Sequence, residues 1–167
     1  MTVYIRDTHP PRGFARILWR LPLWLYRLHL GWLLQSRFLL LTHIGRKSGL
    51  PRTTVLEVIR ADKTAGKYTV FSGWRKQSDW VKNVEKTPQV KIQIGNHSFH
   101  AQTTRPAPEE AEALLLAYAA RYPHLLRLVL RLLGYQTDGT EEDLRAIAHH
   151  SIMVTFEVLP PGTGGNV

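Results

Sequence analysis

The stretch LLLTHIGRKSGLPRTTVLEV (39–58) decides how this chain folds. Residues 37–44 (RFLLLTHI) form a short apolar run bounded by turn residues, the pattern of a buried strand. Gly45-Arg46-Lys47-Ser48-Gly49 then makes a turn, Pro51 follows, and 53–60 (TTVLEVIR) is rich in β-branched residues. Two strands are therefore joined by a basic loop. Arg46, Lys47 and Arg52 place three cations within seven residues, beside Ser48 and two glycines that permit tight backbone geometry. Such a loop can cradle a phosphate or carboxylate through charge-assisted hydrogen bonds. The spacing is not that of a G-x-x-x-x-G-K phosphate loop. A solvated basic hairpin has the same composition, so the loop alone leaves both readings open.

Working outward, 67–72 (KYTVFS) reads as a strand that forms a hairpin with 53–60 across the turn-like Asp62–Gly66. Residues 78–86 predict a short helix with Ser78 as N-cap and Pro88 just beyond its end. The alternating 89–95 and the segment 97–104 make a second hairpin about Gly95-Asn96. Helices are expected over 107–121, with Pro108 near its first position, and over 123–133, ending at Gly134. Thr140-x-x-Asp143 is a capping box that opens a third helix to about His149, and 151–158 is a last strand. About six strands and a few helices that do not alternate regularly indicate an α+β fold with a mostly antiparallel sheet or small barrel.

The chain has 167 residues and no cysteine. The length indicates one folded domain, and the missing thiols exclude disulfide scaffolds, iron–sulfur clusters, thiolate zinc sites and cysteine nucleophiles. The net charge of +9 is uneven: residues 1–60 hold ten Lys/Arg against two Asp/Glu, 61–100 seven against three, and 101–167 five against eight. An anionic partner is expected on the N-terminal side. The apolar stretch 14–34 is interrupted by Arg16, Arg20, Pro22 and Arg27, so it is neither a clear secretory signal nor a spanning helix. As a helix, it would line Arg12, Arg16, Arg20 and Arg27 along one narrow stripe opposite apolar surface that includes Trp19, Trp24 and Trp32. That profile suits contact with an anionic membrane surface, and equally a helix packed on the protein's own core. The chain thus divides into an arm and apolar basic helix (1–34), a folded domain (35–160) and an unstructured tail (161–167).

A second segment, SGWRKQSDWVKNV (72–84), mixes Trp74 and Trp80 with Arg75, Lys76 and Lys82 and begins a helix, a combination suited to a planar anionic ligand. The eight histidines show no metal-ligand spacing, and there is no G-x-S-x-G elbow. The C-terminal carboxylates fall in first turns of expected helices, where the helix dipole accounts for them. Cations, glycines and tryptophans without an acid/base pair suit an enzyme whose cofactor carries the chemistry. The basic residues cluster at one turn and one helix start rather than along a continuous stripe, which disfavours nucleic acid.

Taken together, 39–58, SGWRKQSDWVKNVEKTPQVKIQIG (72–95) and HAQTTRPAPEE (100–110) resemble the deazaflavin-dependent nitroreductase family, whose members are coenzyme F420-dependent oxidoreductases. The resemblance implies a split β-barrel similar to FMN-binding flavoproteins, flanked by helices. It also implies hydride transfer from reduced coenzyme F420 to a small hydrophobic, electron-poor acceptor such as a quinone, enone or nitro compound. By this resemblance, Arg46, Lys47 and Ser48 hold the phosphate-containing tail. Arg52, Thr53, Thr54, Val55, Leu56 and Glu57 line the deazaflavin, and Phe71, Ser72, Gly73 and Trp74 pass close to it. Asp79, Trp80, Val81, Lys82 and Asn83 contribute from the helix. Tyr122 and Tyr135 are the candidates for the substrate side. Val81 and Glu57 stand where some relatives have Tyr. An FMN- or haem-binding barrel of the same class is the alternative, and a non-enzymatic basic module binding nucleic acid or membrane is another. A cytoplasmic protein, peripheral at the inner face of the membrane through 12–34, and a homodimer complete the expectations.

Overall fold

A computed structural model of the chain describes residues 4–5, 37–72, 78–132 and 135–161. The expected helix over 14–34 and the sites at Gly73 and Trp74 lie outside the described residues, as do the cap at Gly134 and most of the tail. Eight strands and four helices are present in the described parts. They run in the order β1 (Tyr4–Ile5), β2 (Phe38–Ile44), β3 (Pro51–Asp62), β4 (Lys67–Ser72), α1 (Asp79–Lys86), β5 (Gln89–Ile94) and β6 (His97–Thr104). Then follow α2 (Pro108–Arg121), α3 (Pro123–Leu132), β7 (Tyr135–Gln136), α4 (Glu141–His150) and β8 (Ile152–Val158).

Six strands close into a barrel in the order β2-β3-β4-β8-β6-β5, with β5 returning to β2, and every neighbouring pair is antiparallel. Closure leaves no open sheet edge. The interior follows from two-residue alternation: Leu39 and Leu41 of β2, Leu56 and Val58 of β3, Tyr68 and Val70 of β4, Val90 and Ile92 of β5, and Val154 and Phe156 of β8 make one core. Val81 and Val84 of α1 pack into it. Thr69 and Thr155, directly opposite across β4 and β8, satisfy one another inside the sheet at 2.9 Å.

A second core lies outside the barrel. Leu114, Leu115 and Tyr118 of α2, Leu126 and Leu130 of α3, and Leu144 and Ile147 of α4 meet Met153 of β8, with Ile59 and Phe71 packed against them. Ile59 sits at a register shift between Val58 and Arg60, a bulge that bends β3 where it passes α2.

The capping expectations separate into two outcomes. Thr140 Oγ1 accepts from the backbone N–H of Asp143 at 3.2 Å, as the box requires. The Asp143 carboxylate, however, takes the Thr137 hydroxyl (2.8 Å) and the Asp138 N–H (3.2 Å). Ser78 is the N-cap of α1, but its hydroxyl pairs with that of Ser72 at 3.0 Å instead of capping. Both hydroxyls are buried, and each is the other's partner there. The two-residue β1–β7 pairing was not foreseen, because a bridge this short and this distant in sequence leaves no periodic trace.

Candidate cofactor and acceptor site

The 45–50 loop is built as a tight turn: Gly45 N–H donates to Leu50 O and Gly49 N–H to Gly45 O. Gly49 has φ +67°, a conformation that glycine adopts without a Cβ penalty. Gly45 has a different reason to lack a side chain. A Cβ there would stand 2.6 Å from Ser48 Oγ and 2.9 Å from Arg52 Nε, so the missing methyl lets these two polar side chains converge over the backbone.

Helix α1 holds this loop through Asn83, which is 2% exposed. Asn83 Oδ1 accepts from the Arg46 backbone N–H (3.0 Å) and from Arg46 Nη1 (3.1 Å). Those two donors fix which end of the amide is oxygen. Nδ2 therefore donates to His43 Nδ1 at 3.1 Å, which leaves the ring proton of neutral His43 on Nε2. Burial holds His43 below the usual imidazole range, and Arg52 pushes the same way. Arg46 Nη2 also pairs with Asp79 Oδ1 at 2.9 Å, and that hydrogen bond lowers the Asp79 carboxyl from its usual value. Lys86 Nζ donates to Arg46 O at 2.9 Å.

Two of the segments singled out in the sequence are thus brought together. Gly45, Arg46, Lys47, Ser48 and Arg52 share a cavity of about 180 Å³ with Asp79 and Asn83. Arg46 is spent on Asp79 and Asn83. Lys47 and Arg52 make no ion pair among the described residues, and they are the cations left facing solvent.

From Arg52 to Glu57, β3 advances about 17 Å at roughly 3.3 Å per residue. Register sets Thr53 opposite Thr42, Val55 opposite Leu40 and Glu57 opposite Phe38, all on the outward face. Leu56 and Val81 are core residues of the barrel, and Phe71 packs on the helical cluster instead. Thr54, opposite Leu41, is half-buried on the core-facing side of β3, Trp80 packs partly on the barrel core, and Lys82 is exposed.

At the far end of that outward face lies a cleft of about 770 Å³ between β3 and α2. The Tyr118 hydroxyl donates to Glu57 Oε1 at 2.7 Å, and Arg37 Nη2 stands 3.7 Å from the same oxygen. Burial, then the Glu57 carboxylate, raises the Tyr118 phenol above its usual range. The Tyr118 and Tyr122 rings meet at 5.3 Å, and the guanidiniums of Arg37 and Arg121 lie 5.4 and 5.3 Å from the centre of the Tyr122 ring. Tyr122 therefore belongs to this cleft with Glu57. Tyr135 does not: it is 3% exposed within the helical core. Sequence reasoning missed Tyr118, Arg37 and Arg121. The spacing of four between Tyr118, in the last turn of α2, and Tyr122, its C-cap, was the signal for the first. Among the described residues no three His, Asp or Glu side chains are placed to hold a metal ion, and no single helix is long and apolar enough to cross a membrane.

The donor set fits the anionic tail of a deazaflavin cofactor: two cations without an ion pair among the described residues, Lys47 and Arg52, and the Ser48 hydroxyl, which converges with Arg52 over Gly45. Known structures share the barrel. A solved F420-H2 dependent reductase (FDR-A) is 22% identical with a TM-score of 0.50, covering 74% of this chain and 96% of its own. A structure described as a domain-swapped dimer is 21% identical with a TM-score of 0.52, covering 85% and 99%. HutZ, a haem storage protein from Vibrio cholerae, is 13% identical with a TM-score of 0.51, covering 84% and 92%. No curated protein matches the chain in sequence. The sequence model of F420H2-dependent quinone reductases matches residues 24–124, which is more than half of the chain. The chain belongs to the F420H2-dependent quinone reductase family and is a coenzyme F420-dependent oxidoreductase.

Proposed function

We propose that the two ends of β3 divide the work of this reductase. Lys47, Ser48 and Arg52 hold the anionic tail of coenzyme F420. The outward face of Thr53 and Val55 supports the deazaflavin, and the cleft with Glu57, Tyr118 and Tyr122 receives a quinone. One observation carries this reading: the single strand β3 runs from Arg52 at the basic cavity to Glu57 at the aromatic cleft. When bound, the reduced deazaflavin would supply a hydride and release one proton as it is reoxidised, and the acceptor takes up both, the proton through solvent, to leave as the two-electron-reduced product.

The chain's own residues bind and orient. Lys47 and Arg52 neutralise anionic charge, and Asn83 fixes the loop that presents them. The tyrosine rings and Leu114 give the acceptor an apolar wall that excludes water. Tyr118 and Arg37 keep Glu57 in one place, so the cleft has a fixed floor. Tyr118 itself is a poor acid here, because its proton is held by a carboxylate. Parallel titrations with coenzyme F420 and FMN by fluorescence quenching test the reading. Quenching by F420 alone agrees with it, and tighter binding of FMN refutes it.

A cytoplasmic setting with 12–34 against an anionic membrane would bring the enzyme to lipid quinones. Co-flotation with anionic vesicles at low salt tests that part. The neighbour described as a domain-swapped dimer supports a homodimer for this chain, which sedimentation would check.

A further inference from the structure

The charge in the aromatic cleft exceeds what a neutral quinone needs. Arg37, Arg60, Lys63 and Arg121 line it against the carboxylates of Glu57 and Asp62. Arg37 is balanced by Glu57. Asp62 is occupied in its own turn, accepting from the Thr64 hydroxyl (2.6 Å) and from the Thr64 and Ala65 N–H groups (3.1 and 3.0 Å). Arg60, Lys63 and Arg121 make no ion pair among the described residues, although Asp62 lies close enough for Arg60 to help lower its carboxyl. Three cations without carboxylate partners thus rim a cavity with an aromatic wall. At about 770 Å³ it is also roomy, toward the upper end of the roughly 300–1,000 Å³ usual for small-molecule sites.

We infer that the acceptor of this enzyme is an aromatic or quinonoid compound bearing an anionic substituent, a carboxylate or sulfonate, and that Arg60, Lys63 and Arg121 read that substituent. This rests on the reading that the cleft receives the acceptor. The ring lies against Tyr118 and Tyr122 and the substituent points to the cationic rim. The substituent keeps its charge throughout, and the hydride transfer is the one already given. The position of Arg121, 5.3 Å from the centre of the Tyr122 ring, adds to the preference, since it is held at the wall and makes no ion pair among the described residues.

Two redox-inert isosteres test it on the full chain without cofactor: naphthalene-2-sulfonate and naphthalene-2-sulfonamide, with dissociation constants measured by equilibrium dialysis at low and high salt. The sulfonate should bind about tenfold tighter at low salt, with the advantage shrinking as salt screens it. In Arg60→Gln/Lys63→Gln/Arg121→Gln the two should bind within about twofold of one another, without change in thermal midpoint, because all three side chains are exposed. In steady-state assays the sulfonate should compete with menadione and not with reduced F420. If both isosteres bind equally and both compete with menadione, the cleft takes the acceptor but does not read charge, and the inference fails while the function reading stands. Sulfonate competition with reduced F420 would assign the cations to the cofactor tail and overturn both. Sulfonate binding that the triple variant leaves unchanged would place the ligand elsewhere and overturn the inference.

Discussion

The backbone N–H and the guanidinium of Arg46 converge on one oxygen, Oδ1 of Asn83, at 3.0 and 3.1 Å. Thirty-seven residues apart in sequence, the two hold the basic loop against α1. Arg46 is therefore a positioning residue, which leaves its neighbours Lys47 and Arg52 as the cations proposed to meet the cofactor.

Asn83→Ala should lose the two bonds from Arg46 and the one to His43, leaving buried polar groups unpaired. The expected cost is about 2–4 kcal/mol in urea unfolding. A change below about 0.5 kcal/mol would mean that the loop is held by other contacts.

His43 sets a pH dependence of stability. Burial keeps its folded pKa below the ordinary 6.5, so on acidification the unfolded chain takes the proton first. Its contribution is complete above pH 6.5 and declines as the pH falls through that value toward the folded pKa. His43→Asn keeps an acceptor for Asn83 Nδ2 and cannot titrate. Between pH 7.5 and 5.5 the variant should lose less stability than the parent chain; equal slopes would exclude His43 as the source.

Gly45→Ala is expected to weaken F420 binding about tenfold, because the new methyl displaces Ser48 and Arg52 from their convergence. Both side-chain ends can move, so the thermal midpoint should stay within about 2 °C. Unchanged affinity in a calorimetric titration would show that the convergence plays no part in binding.

Tyr118→Phe removes the hydroxyl that holds Glu57 and should cost about 1.5–3 kcal/mol, the range for a hydrogen bond to a charged group. The KM for menadione should rise with the KM for reduced F420 unaltered. A rise in the cofactor KM instead would move Glu57 to the cofactor side.

Much of this was legible in the sequence, for identifiable reasons. Strands β2 to β6 and β8 carry clear alternation or punctuation, and their observed bounds fall within two residues of the expected ones. The basic loop and the α1 segment were both singled out, and their side chains do meet at one cavity. The sequence could not reveal that Arg46 is consumed internally, because that depends on Asn83 and Asp79 arriving from another element. Leu56 and Val81 were expected at the cofactor by resemblance, yet their side chains face the barrel core, a matter of register rather than residue type. Tyr122 and Tyr135 looked equivalent, and only the packing of α2 against β3 separates the cleft residue from the core one.

In the function proposed, the two ends of β3 serve different ligands. Steady-state kinetics of Lys47→Ala and Tyr122→Ala, varying reduced F420 and menadione in turn, test it most directly. Lys47→Ala should raise the KM for reduced F420 by about tenfold and leave that for menadione unchanged, with Tyr122→Ala doing the reverse. If both variants raise the same KM, or each raises the other's, the division of β3 into a cofactor end and an acceptor end is wrong.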